Sequence, residues 1–369
     1  MRFGILGTRG LPASYSGFET LAEELATRLV ARGHEVTVYT RKHHAVPGLA
    51  SYRGAAIRVL PALRLKVAET LSHTLLSSLD VSRRSLDAVL VCNAANAPLL
   101  PILHAKGLPA ALNVDGLERN RRKWGALGKA YYRMCEGLSA RLADTLITDA
   151  EVMRRYYRRA WHRDSVMIPY GGDLEPPATT ATLERLGLTA GGYVLYVSRF
   201  EPENNPDRVV ASYRDVPGDL KLVMVGGAPY ARELVQRVEK LAAADPRVML
   251  TGFVYGSGYR ELLFGAAAYV QATEVGGTHP ALVEAMGAGR VILYLDNPPN
   301  REVVGGVGVP FRFDREPSLS TALTAFLASR ERFAPLGEDA RKRVGDRYRW
   351  DDVAAAYERV LEGLCTTTR

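Results

Sequence analysis

The segment Met1-Arg2-Phe3-Gly4-Ile5-Leu6-Gly7-Thr8-Arg9-Gly10-Leu11-Pro12 is an apolar run that passes directly into a glycine-rich turn. A short apolar run of this kind predicts a buried strand. Residues 20–30 then place apolar side chains at a spacing of three to four, which predicts a helix that ends at Gly33. A strand, a glycine turn and a helix in this order are typical of the first unit of a parallel α/β sheet.

The alternation of apolar runs and helical patterns continues along the chain and predicts two doubly wound, Rossmann-like α/β domains. Between the two series, Pro169-Tyr170-Gly171-Gly172-Asp173 and Pro176-Pro177 break regular structure and predict a hinge. We expect a first domain over 1–172, a second over 173–345, and a final helix within 346–369 that packs back toward the first domain. The predicted strands cover 3–7, 35–41, 57–60, 88–92, 110–114, 145–148, 166–169, 193–198, 221–226, 248–253, 268–272 and 291–295.

Length and composition agree with two globular domains. The chain has 369 residues, of which 47% are hydrophobic and 24% charged. No run of about eighteen apolar residues occurs, and a strand starts where a secretory signal would stand, so we expect a cytoplasmic protein. The cysteines Cys92, Cys135 and Cys365 follow neither a metal-ligand nor a disulfide pattern, which fits a reducing compartment.

The net charge of +8 is distributed unevenly. Through Tyr170 there are 25 Lys and Arg against 14 Asp and Glu, a net +11, whereas the remainder has 23 against 26, a net −3. The basic half predicts an anionic partner, which is a phosphate-bearing substrate, an acidic membrane surface or a nucleic acid. A solvated basic surface is the alternative. No nucleic-acid-binding motif accompanies the charge, so we expect no nucleic-acid partner.

The turn after the first strand is a candidate phosphate site. Glycines at a strand-to-helix turn let backbone amides approach an anion where the helix dipole also favours it. We expect Gly7, Thr8, Arg9 and Gly10 to bind a phosphate group. A dinucleotide site is not expected, because the glycine spacing differs and the second strand ends in the basic pair Arg41-Lys42 rather than in an acid. A tight turn without a ligand is the alternative.

Two further candidate segments follow predicted strands of the second half. Arg199 stands directly after a strand, where its guanidinium can fork onto a diphosphate; a structural ion pair is the alternative. Phe253, Val254 and Tyr255 follow another strand, and their main chain and rings would read or stack on a nucleobase. Ordinary packing of Tyr255 is equally compatible with the pattern.

The most informative segment is Gly276-Gly277-Thr278-His279-Pro280-Ala281-Leu282-Val283-Glu284. It predicts a glycine turn and a helix with Pro280 in its first turn, where a missing N–H costs nothing. The amides of Gly277, Thr278 and His279 would then face a phosphate. Glu284 lies in an otherwise small, apolar helix and needs a partner to offset desolvation, either two ribose hydroxyls or an ion pair.

Together these segments resemble glycosyltransferase family four, the retaining enzymes of GT-B architecture, and within it the bacterial group that includes rhamnosyltransferases. The resemblance covers nearly the whole chain. It is carried by Gly7 to Pro12 with Gly17-Phe18-Glu19-Thr20, Asn113-Val114-Asp115-Gly116-Leu117-Glu118, Pro202-Glu203-Asn204-Asn205, Gly276-Gly277-Thr278, and Asp296-Asn297-Pro298 before Asn300-Arg301-Glu302.

The resemblance implies a GT-B architecture, in which two Rossmann-like domains face a central cleft. It implies Arg199 on the donor diphosphate, Glu284 on the donor ribose, and the turn of Gly7 and Gly10 closing over the diphosphate. This chain departs from the family pattern twice. Gly276 stands where the wider family has a glutamate near the donor sugar, and Asn204 and Asn205 stand where it commonly has a lysine. We interpret both as altered donor handling.

The chemistry implied is transfer of a sugar from a nucleoside-diphosphate donor with retained configuration, without a metal or other cofactor. Charge would build up on the diphosphate beside Arg199 and the amides near Thr278. The leaving phosphate itself or Asp115, oriented by Asn113, would take the acceptor proton; a capping role for the turn aspartate is the alternative. His279 would lie near the donor sugar.

The expected acceptor is a glycan or a lipid-pyrophosphate-linked sugar, with peripheral contact to the inner membrane as an option. It would meet the basic residues and the tryptophan of one segment, namely Arg119, Arg121, Arg122, Lys123 and Trp124. Rhamnose from dTDP-rhamnose is favoured by resemblance, with UDP- and GDP-sugars next, for cell-surface polysaccharide synthesis. The rival predictions are a nucleotide-sugar epimerase on the same fold and a non-catalytic nucleotide-sugar binder.

Overall fold

The structure is a computed structural model that describes residues 1–13, 17–65, 68–81, 83, 85–228 and 230–367. The chain forms two compact units. The first consists of Met1–Asn120, Trp124–Tyr170 and Trp350–Arg369, and the second of Arg121–Lys123 and Gly171–Arg349. No helix in the described part of the chain is long and apolar enough to cross a membrane.

The first unit is built on an eight-stranded sheet in the order β3-β4-β2-β1-β5-β6-β7-β8, in which every pairing is parallel except that of β3 with β4. Its strands are β1 Arg2–Leu6, β2 Glu35–Arg41, β3 Ser51–Tyr52, β4 Ala55–Leu60, β5 Ala88–Cys92, β6 Ala110–Val114, β7 Thr145–Thr148 and β8 Val166–Met167. Its first helices are α1 Gly17–Ala31, α2 Glu69–Val81, α3 Leu100–His104, α4 Ala126–Leu142 and α5 Glu151–Trp161, with 3-10 turns at Ala94–Leu99 and Glu118–Asn120.

The second unit has a six-stranded, fully parallel sheet in the order β11-β10-β9-β12-β13-β14. Its strands are β9 Tyr193–Arg199, β10 Lys221–Gly227, β11 Val248–Gly252, β12 Ala268–Gln271, β13 Val291–Leu295 and β14 Val309–Phe311. Its helices are α6 Ala181–Arg185, α7 Pro206–Tyr213, α8 Arg232–Ala243, α9 Gly256–Gly265, α10 Pro280–Gly287, α11 Pro298–Val304, α12 Leu319–Ala328 and α13 Arg330–Arg347, with a 3-10 turn at Pro202–Asn204.

Both sheets are covered by an apolar core on each face, because successive strand residues point to opposite sides. In β5, Leu90 belongs to one core, and its neighbours Val89 and Val91 belong to the core on the other face. In both units the first strands of the sheet are added on one side of a central strand, β1 or β9. The chain then crosses back, and the later strands are added on the other side of that strand, starting with β5 or β12. This is the doubly wound arrangement, so the predicted fold class is confirmed.

The last helix, α14 Trp350–Thr367, belongs to the first unit and packs on α1. Trp350 and Tyr357 are buried in the core that α1 also lines. Two ion pairs fix its outer side, from Arg28 Nε to Asp351 Oδ1 at 2.8 Å and from Arg32 Nη1 to Glu358 Oε2 at 2.6 Å.

The observed elements differ from the predicted ones where the sequence signal is short. The strands β3 and β14, of two and three residues, were not predicted. The strand predicted over 248–253 ends at Gly252, whose φ of +69° leaves the extended region. Arg121–Lys123, which we placed in the first domain, groups with the second unit because its cations pair with acids there.

Candidate functional site

The carboxyl ends of β9 and β12 mark the switch point of the second sheet. In open α/β sheets the connections leave such neighbouring strands in opposite directions, and a crevice for ligands opens at their carboxyl ends. Arg199 is the last residue of β9 and Gln271 the last of β12. The predicted phosphate ligand Arg199 is therefore placed at the position where this fold binds small molecules.

Three cations converge on the carboxylate of Glu201 just after β9. Arg121 Nη1 lies 2.9 Å from Glu201 Oε2, Arg199 Nη1 lies 3.4 Å from Oε1, and Lys123 Nζ lies 3.5 Å from Oε1. The Glu201 side chain is only 1% exposed, and the hydroxyl of Tyr230 also donates to it. One buried carboxylate thus holds Arg199 together with two cations from an earlier part of the chain.

A second buried acid, Glu203, lies beside the first. Arg121 Nη1 also contacts Glu203 Oε1 at 3.2 Å. Burial raises the pKa of Glu203, and its hydrogen bond with Glu201 raises it further. Burial opposes ionisation of Glu201 as well, but the charges of Arg199, Lys123 and Arg121 outweigh it and hold the pKa of that carboxyl well below its usual range. The cluster therefore carries a net positive charge, which suits an anionic ligand.

The two asparagines in the place of the family's lysine have main-chain partners. Asn204 Nδ2 donates to the carbonyl of Arg199 at 2.7 Å, and Asn205 Nδ2 donates to the carbonyl of Ala272 at 2.9 Å. These bonds tie the loop after β9 to itself and to the end of β12. Positive charge beside Arg199 is supplied by Arg121 and Lys123, which are not adjacent to it in sequence.

The start of α10 confirms the predicted glycine turn followed by a helix with proline in its first turn. His279 is the N-cap residue and Pro280 the first helical residue. Gly276 has a φ of +148°, and a β-carbon placed on it would lie 2.9 Å from His279 Nε2, so the imidazole lies over this glycine. The space at Gly276, where the family has a glutamate, is therefore filled by His279.

The imidazole of His279 is neutral at pH 7. Burial lowers its pKa to about 4, assisted by the charges of Arg121 and Arg199. Its Nε2 atom is buried and has no hydrogen-bond partner among the described residues. His279 therefore lies near the cation cluster without adding to its charge.

Glu284, in the middle of α10, is buried, and its Oε2 atom accepts a hydrogen bond of 2.6 Å from the hydroxyl of Tyr259. Burial and the neighbouring carboxylate raise the pKa of Tyr259 well above its ordinary value, so this hydroxyl remains a donor. Glu284 was expected to need a partner that offsets the desolvation of its carboxylate, and the hydroxyl of Tyr259 is one such partner.

The segment after β11 presents two parallel rings to solvent. Phe253 and Tyr255 are 39% and 46% exposed, their ring centroids are 6.0 Å apart, and the ring planes differ by 5°. Val254 between them is partly buried and packs against the core. An exposed aromatic pair provides a flat apolar surface of the kind on which a base stacks.

In the first unit, the predicted phosphate turn is tightly packed. Side chains at Gly7 and Gly10, which have φ of +89° and +114°, would collide with Cys92 and Thr40. The amide of Arg9 donates to Glu19 Oε1 at 2.8 Å. A carboxylate from α1 thus satisfies one backbone amide of the predicted phosphate turn, and Thr8 is buried.

Asn113 and Asp115 do not interact as expected. Asn113 is buried and donates to the hydroxyl of Tyr357, so its amide is directed to α14 and not to Asp115. Asp115 Oδ1 accepts a hydrogen bond of 2.6 Å from the amide of the next residue, Gly116. The alternation of side chains along β6 predicted that both residues lie on one face of the sheet. The strand itself gave no sign that α14 packs on that face.

The residues of the predicted acceptor patch have separate side-chain partners. Arg119 Nε binds Glu136 Oε1 at 3.0 Å and Trp124 Nε1 donates to Glu118 at 3.3 Å, both in the first unit. Arg122, 58% exposed, pairs with Glu274 at 2.8 Å in the second unit, and Lys123 pairs with Glu201. Neighbours in sequence thus have partners in different units.

Two groups of described side chains have the geometry to hold a metal ion, His43 with His44 and Glu69, and His34 with Glu358 and Glu362. In the first group, the guanidinium of Arg41 lies 2.9 Å from the same Glu69 oxygen that both histidines approach. In the second, Arg32 pairs with Glu358. Since a cation already occupies each central carboxylate, we assign no metal to either group.

Sequence reasoning missed Glu201 and Glu203, and it assigned Arg121 to the acceptor and not to the end of β9. The two acids stand within the segment after β9 that the sequence singled out, so acids next to a candidate phosphate arginine were an available signal. Nothing in the sequence links Arg121 to them, because 80 residues separate it from Glu201.

Comparisons with known proteins agree with this arrangement. Residues 16–171 match the model of the glycosyl transferase 4-like domain, and residues 186–343 match that of glycosyl transferases group 1. The fold and the matches define a glycosyltransferase of GT-B architecture. The chain belongs to the type in which a glycosyl transferase 4-like domain precedes a group 1 domain. No curated protein sequence matches the chain.

Solved structures of similar fold cover almost the whole chain. Sucrose-phosphate synthase from Thermosynechococcus elongatus is 19% identical with a TM-score of 0.84, and 99% of each chain is covered. HepE from Anabaena, in complex with UDP and glucose, is 15% identical with a TM-score of 0.77, covering 98% of this chain and 100% of HepE. WaaG, a glycosyltransferase involved in lipopolysaccharide biosynthesis, is 15% identical with a TM-score of 0.70, covering 96% and 98%.

Proposed function

We propose that this glycosyltransferase takes its sugar from a nucleoside-diphosphate donor whose diphosphate is bound by Arg199, Lys123 and Arg121 beside the first turn of α10. The observation that carries the proposal is the convergence of these three cations on the single buried carboxylate of Glu201. Such a cluster keeps excess positive charge at a sheet end where ligands bind. HepE, which has a similar fold, was solved with UDP and glucose.

The rest of the donor is assigned to neighbouring segments of the second domain. We propose that the base stacks on Phe253 and Tyr255, that the main chain of Val254 reads its edge, and that Glu284 accepts hydrogen bonds from the ribose. The amides of Gly277, Thr278 and His279 face the diphosphate. In the first domain, Gly7, Thr8, Arg9 and Gly10 remain proposed donor ligands; a phosphate there would compete with Glu19 for the amide of Arg9.

The proposed reaction breaks the bond between the anomeric carbon and the phosphate oxygen and needs no metal. Negative charge grows on the leaving diphosphate, and fixed cations stabilise it without reorganisation; removing one such donor costs about 3–4 kcal/mol in comparable sites. The acceptor hydroxyl attacks from the face that the diphosphate leaves, so configuration is retained. Its proton passes to the leaving phosphate or to Asp115.

For the sugar and the acceptor, we propose rhamnose from dTDP-rhamnose, delivered to a glycan or lipid-pyrophosphate-linked sugar during cell-surface polysaccharide synthesis in the cytoplasm. The net +11 of the first 170 residues supports a phosphate-bearing acceptor and contact with an anionic membrane. The proposed acceptor-side residues are Arg119, Arg122, Lys123 and Trp124. Lys123 also belongs to the cation cluster around Glu201.

The test begins with nucleotide binding. A ligand at 100 times its dissociation constant stabilises the folded state by about 2.7 kcal/mol, so melting curves with dTDP, UDP and GDP identify the base. The matching sugar nucleotide is then incubated with and without acceptor sugars, and the products are analysed. Sugar release or transfer supports the proposal. Conversion of the sugar nucleotide without acceptor and without release indicates an epimerase, and no shift with any nucleotide refutes the donor assignment.

A further inference from the structure

The two buried acids after β9, Glu201 and Glu203, have unequal sets of partners. Glu201 is contacted by three cations and by the hydroxyl of Tyr230. Among the residues that the structure describes, Arg121 is the one cation that pairs with Glu203. Its Nη1 atom lies 3.2 Å from Glu203 Oε1 and 2.9 Å from Glu201 Oε2. Glu203 therefore shares its one cationic partner with an acid that has two more.

The second carboxyl oxygen of Glu203 is buried without a donor. The Glu203 side chain is 1% exposed, and no described group donates a hydrogen bond to its Oε2 atom. An ionised carboxylate here would lose its water without compensation at this oxygen, which is unfavourable. A protonated carboxyl group removes the buried charge and brings a donor of its own.

The acceptor for that donor is Glu201. A hydrogen bond between two carboxyl groups needs one proton, because an ionised carboxylate only accepts. Burial raises the pKa of Glu203, and its hydrogen bond with Glu201 raises it further. Burial also opposes ionisation of Glu201, but the three cations outweigh it and lower the pKa of that carboxyl. The proton of the pair therefore resides on Glu203.

The other titratable groups around the pair give Glu203 no positive charge. The hydroxyl of Tyr230 donates to the other acid. Glu274 approaches through its main-chain amide, which donates to the carbonyl of Glu203 at 2.8 Å, while its own carboxylate pairs with Arg122. The imidazole of His279 is neutral at pH 7, because burial lowers its pKa to about 4.

We propose that Glu203 is a positioning residue that keeps its proton at neutral pH and donates it to Glu201, so that three cations face one anion at the diphosphate site. This inference rests on the proposed function and deepens it, because it sets the charge of the proposed site. Loss of the proton would place a second negative charge among the cations that bind the diphosphate, and the affinity for the diphosphate would fall.

The first measurement is the infrared spectrum, in which a protonated carboxylic acid has a carbonyl band separate from that of a carboxylate. We expect the spectrum at pH 7 to lose one such band in Glu203→Gln. If this variant does not fold in melting curves, Glu203→Met, with an apolar side chain of similar length, gives the same readout. A spectrum that loses no such band overturns the inference.

Glu261→Gln is the matched control for the infrared measurement. Glu261 is a buried acid of the same domain, and its two oxygens accept hydrogen bonds of 2.6 Å from the Thr179 hydroxyl and the Thr182 amide. Such bonds favour the ionised form. The control variant should therefore lose no band of a protonated acid, and loss of the same band in both variants would contradict its assignment to Glu203.

The second measurement links the proton to the donor site. Calorimetry gives the dissociation constant of dTDP, UDP and GDP for wild type and Glu203→Gln between pH 6 and 9. Titration of the phosphate itself affects both proteins equally and cancels in the ratio of the two constants. We expect this ratio, wild type over variant, to rise about tenfold across the pH interval in which the band disappears, and to stay constant elsewhere. A band that disappears without a change in the ratio overturns the inference.

The inference and the proposed function fail in different ways. The infrared measurement needs no ligand, so it decides where the proton lies whether or not a nucleotide binds. Binding of a nucleotide without loss of the band in Glu203→Gln refutes the inference alone. Failure of the wild type to bind any of the three nucleotides refutes the donor assignment, and with it the role of the proton at the diphosphate.

Discussion

Arg121 donates a 2.9 Å hydrogen bond to the buried carboxylate of Glu201, across 80 residues of sequence. The bond brings a cation from the segment between β6 and α4 to the end of β9, beside Arg199. Because Asn204 and Asn205 are engaged with main-chain carbonyls, the extra positive charge at this strand end comes from Arg121 and Lys123.

Removing the charge of Glu201 should destabilise the protein. Glu201→Gln leaves three cations around one buried amide, and breaking a buried ion pair in this way costs about 3–5 kcal/mol. Urea unfolding followed by fluorescence should show this loss. Glu338→Gln, which removes an exposed partner of Arg341, should change the free energy of unfolding by less than about 1 kcal/mol. Equal stability of the two variants would show that the cluster is not held by Glu201.

Arg199→Ala should lower turnover much more than it lowers stability. The guanidinium is proposed to stabilise charge that develops on the leaving diphosphate, so we expect kcat to fall about a hundred- to a thousandfold. Steady-state kinetics with the accepted sugar nucleotide measure this. Arg237→Ala removes an equally charged, exposed side chain of the same domain and should leave kcat unchanged. Wild-type turnover in Arg199→Ala would exclude Arg199 from the active site.

Lys123→Gln should weaken binding of the nucleoside diphosphate about tenfold, or about 1.4 kcal/mol, without affecting the nucleoside alone. The side chain is proposed to act through charge, so its effect should also shrink as salt concentration increases. Calorimetric titrations of nucleoside and nucleoside diphosphate at two ionic strengths test both points. Lys129→Gln, an exposed lysine of α4, serves as the control. Equal weakening of both ligands would point to a folding effect.

Acid should destabilise the second domain through His279, the only histidine after residue 162. Its folded pKa of about 4 lies below the ordinary value of 6.5, so its contribution is fully present above pH 6.5 and is lost as pH falls toward 4. The loss is at most about 3 kcal/mol. Urea unfolding of wild type and His279→Gln between pH 7 and 4.5 should show a shallower decline in the variant. Identical slopes would mean that the ring is accessible to protons in the folded state.

The positions of most strands could be predicted because a strand buried on both faces must be apolar throughout. Runs such as Ala88–Cys92 and Val291–Leu295 carry that signal, whereas β3 and β14 are too short to show any periodicity. Arg199 and the turn before α10 could be found for a related reason. They follow strands, and the ends of parallel strands meet at one edge of a sheet.

The hydrogen-bond partners that packed helices supply to the strand ends could not be predicted. Asn113 was expected to orient Asp115, yet it donates to Tyr357, 244 residues later in sequence. The turn that contains Arg9 was expected to bind a phosphate, and one of its amides, that of Arg9, donates to Glu19. In each case the donor has the hydrogen-bonding capacity that the sequence implies, but its partner depends on which helix packs against that strand end.

The sequence by itself determined the two doubly wound domains, the strand end at which Arg199 stands and the helix that carries His279 at its start and Glu284 in its middle, because burial imposes a regular spacing of apolar residues on the sequence. Only the tertiary structure decided that Glu201 forms ion pairs with Arg121, Lys123 and Arg199, and that the ring of His279 packs on Gly276. Ion pairs and close contacts depend on distances in space, and periodicity along the chain carries no information about which distant loops meet.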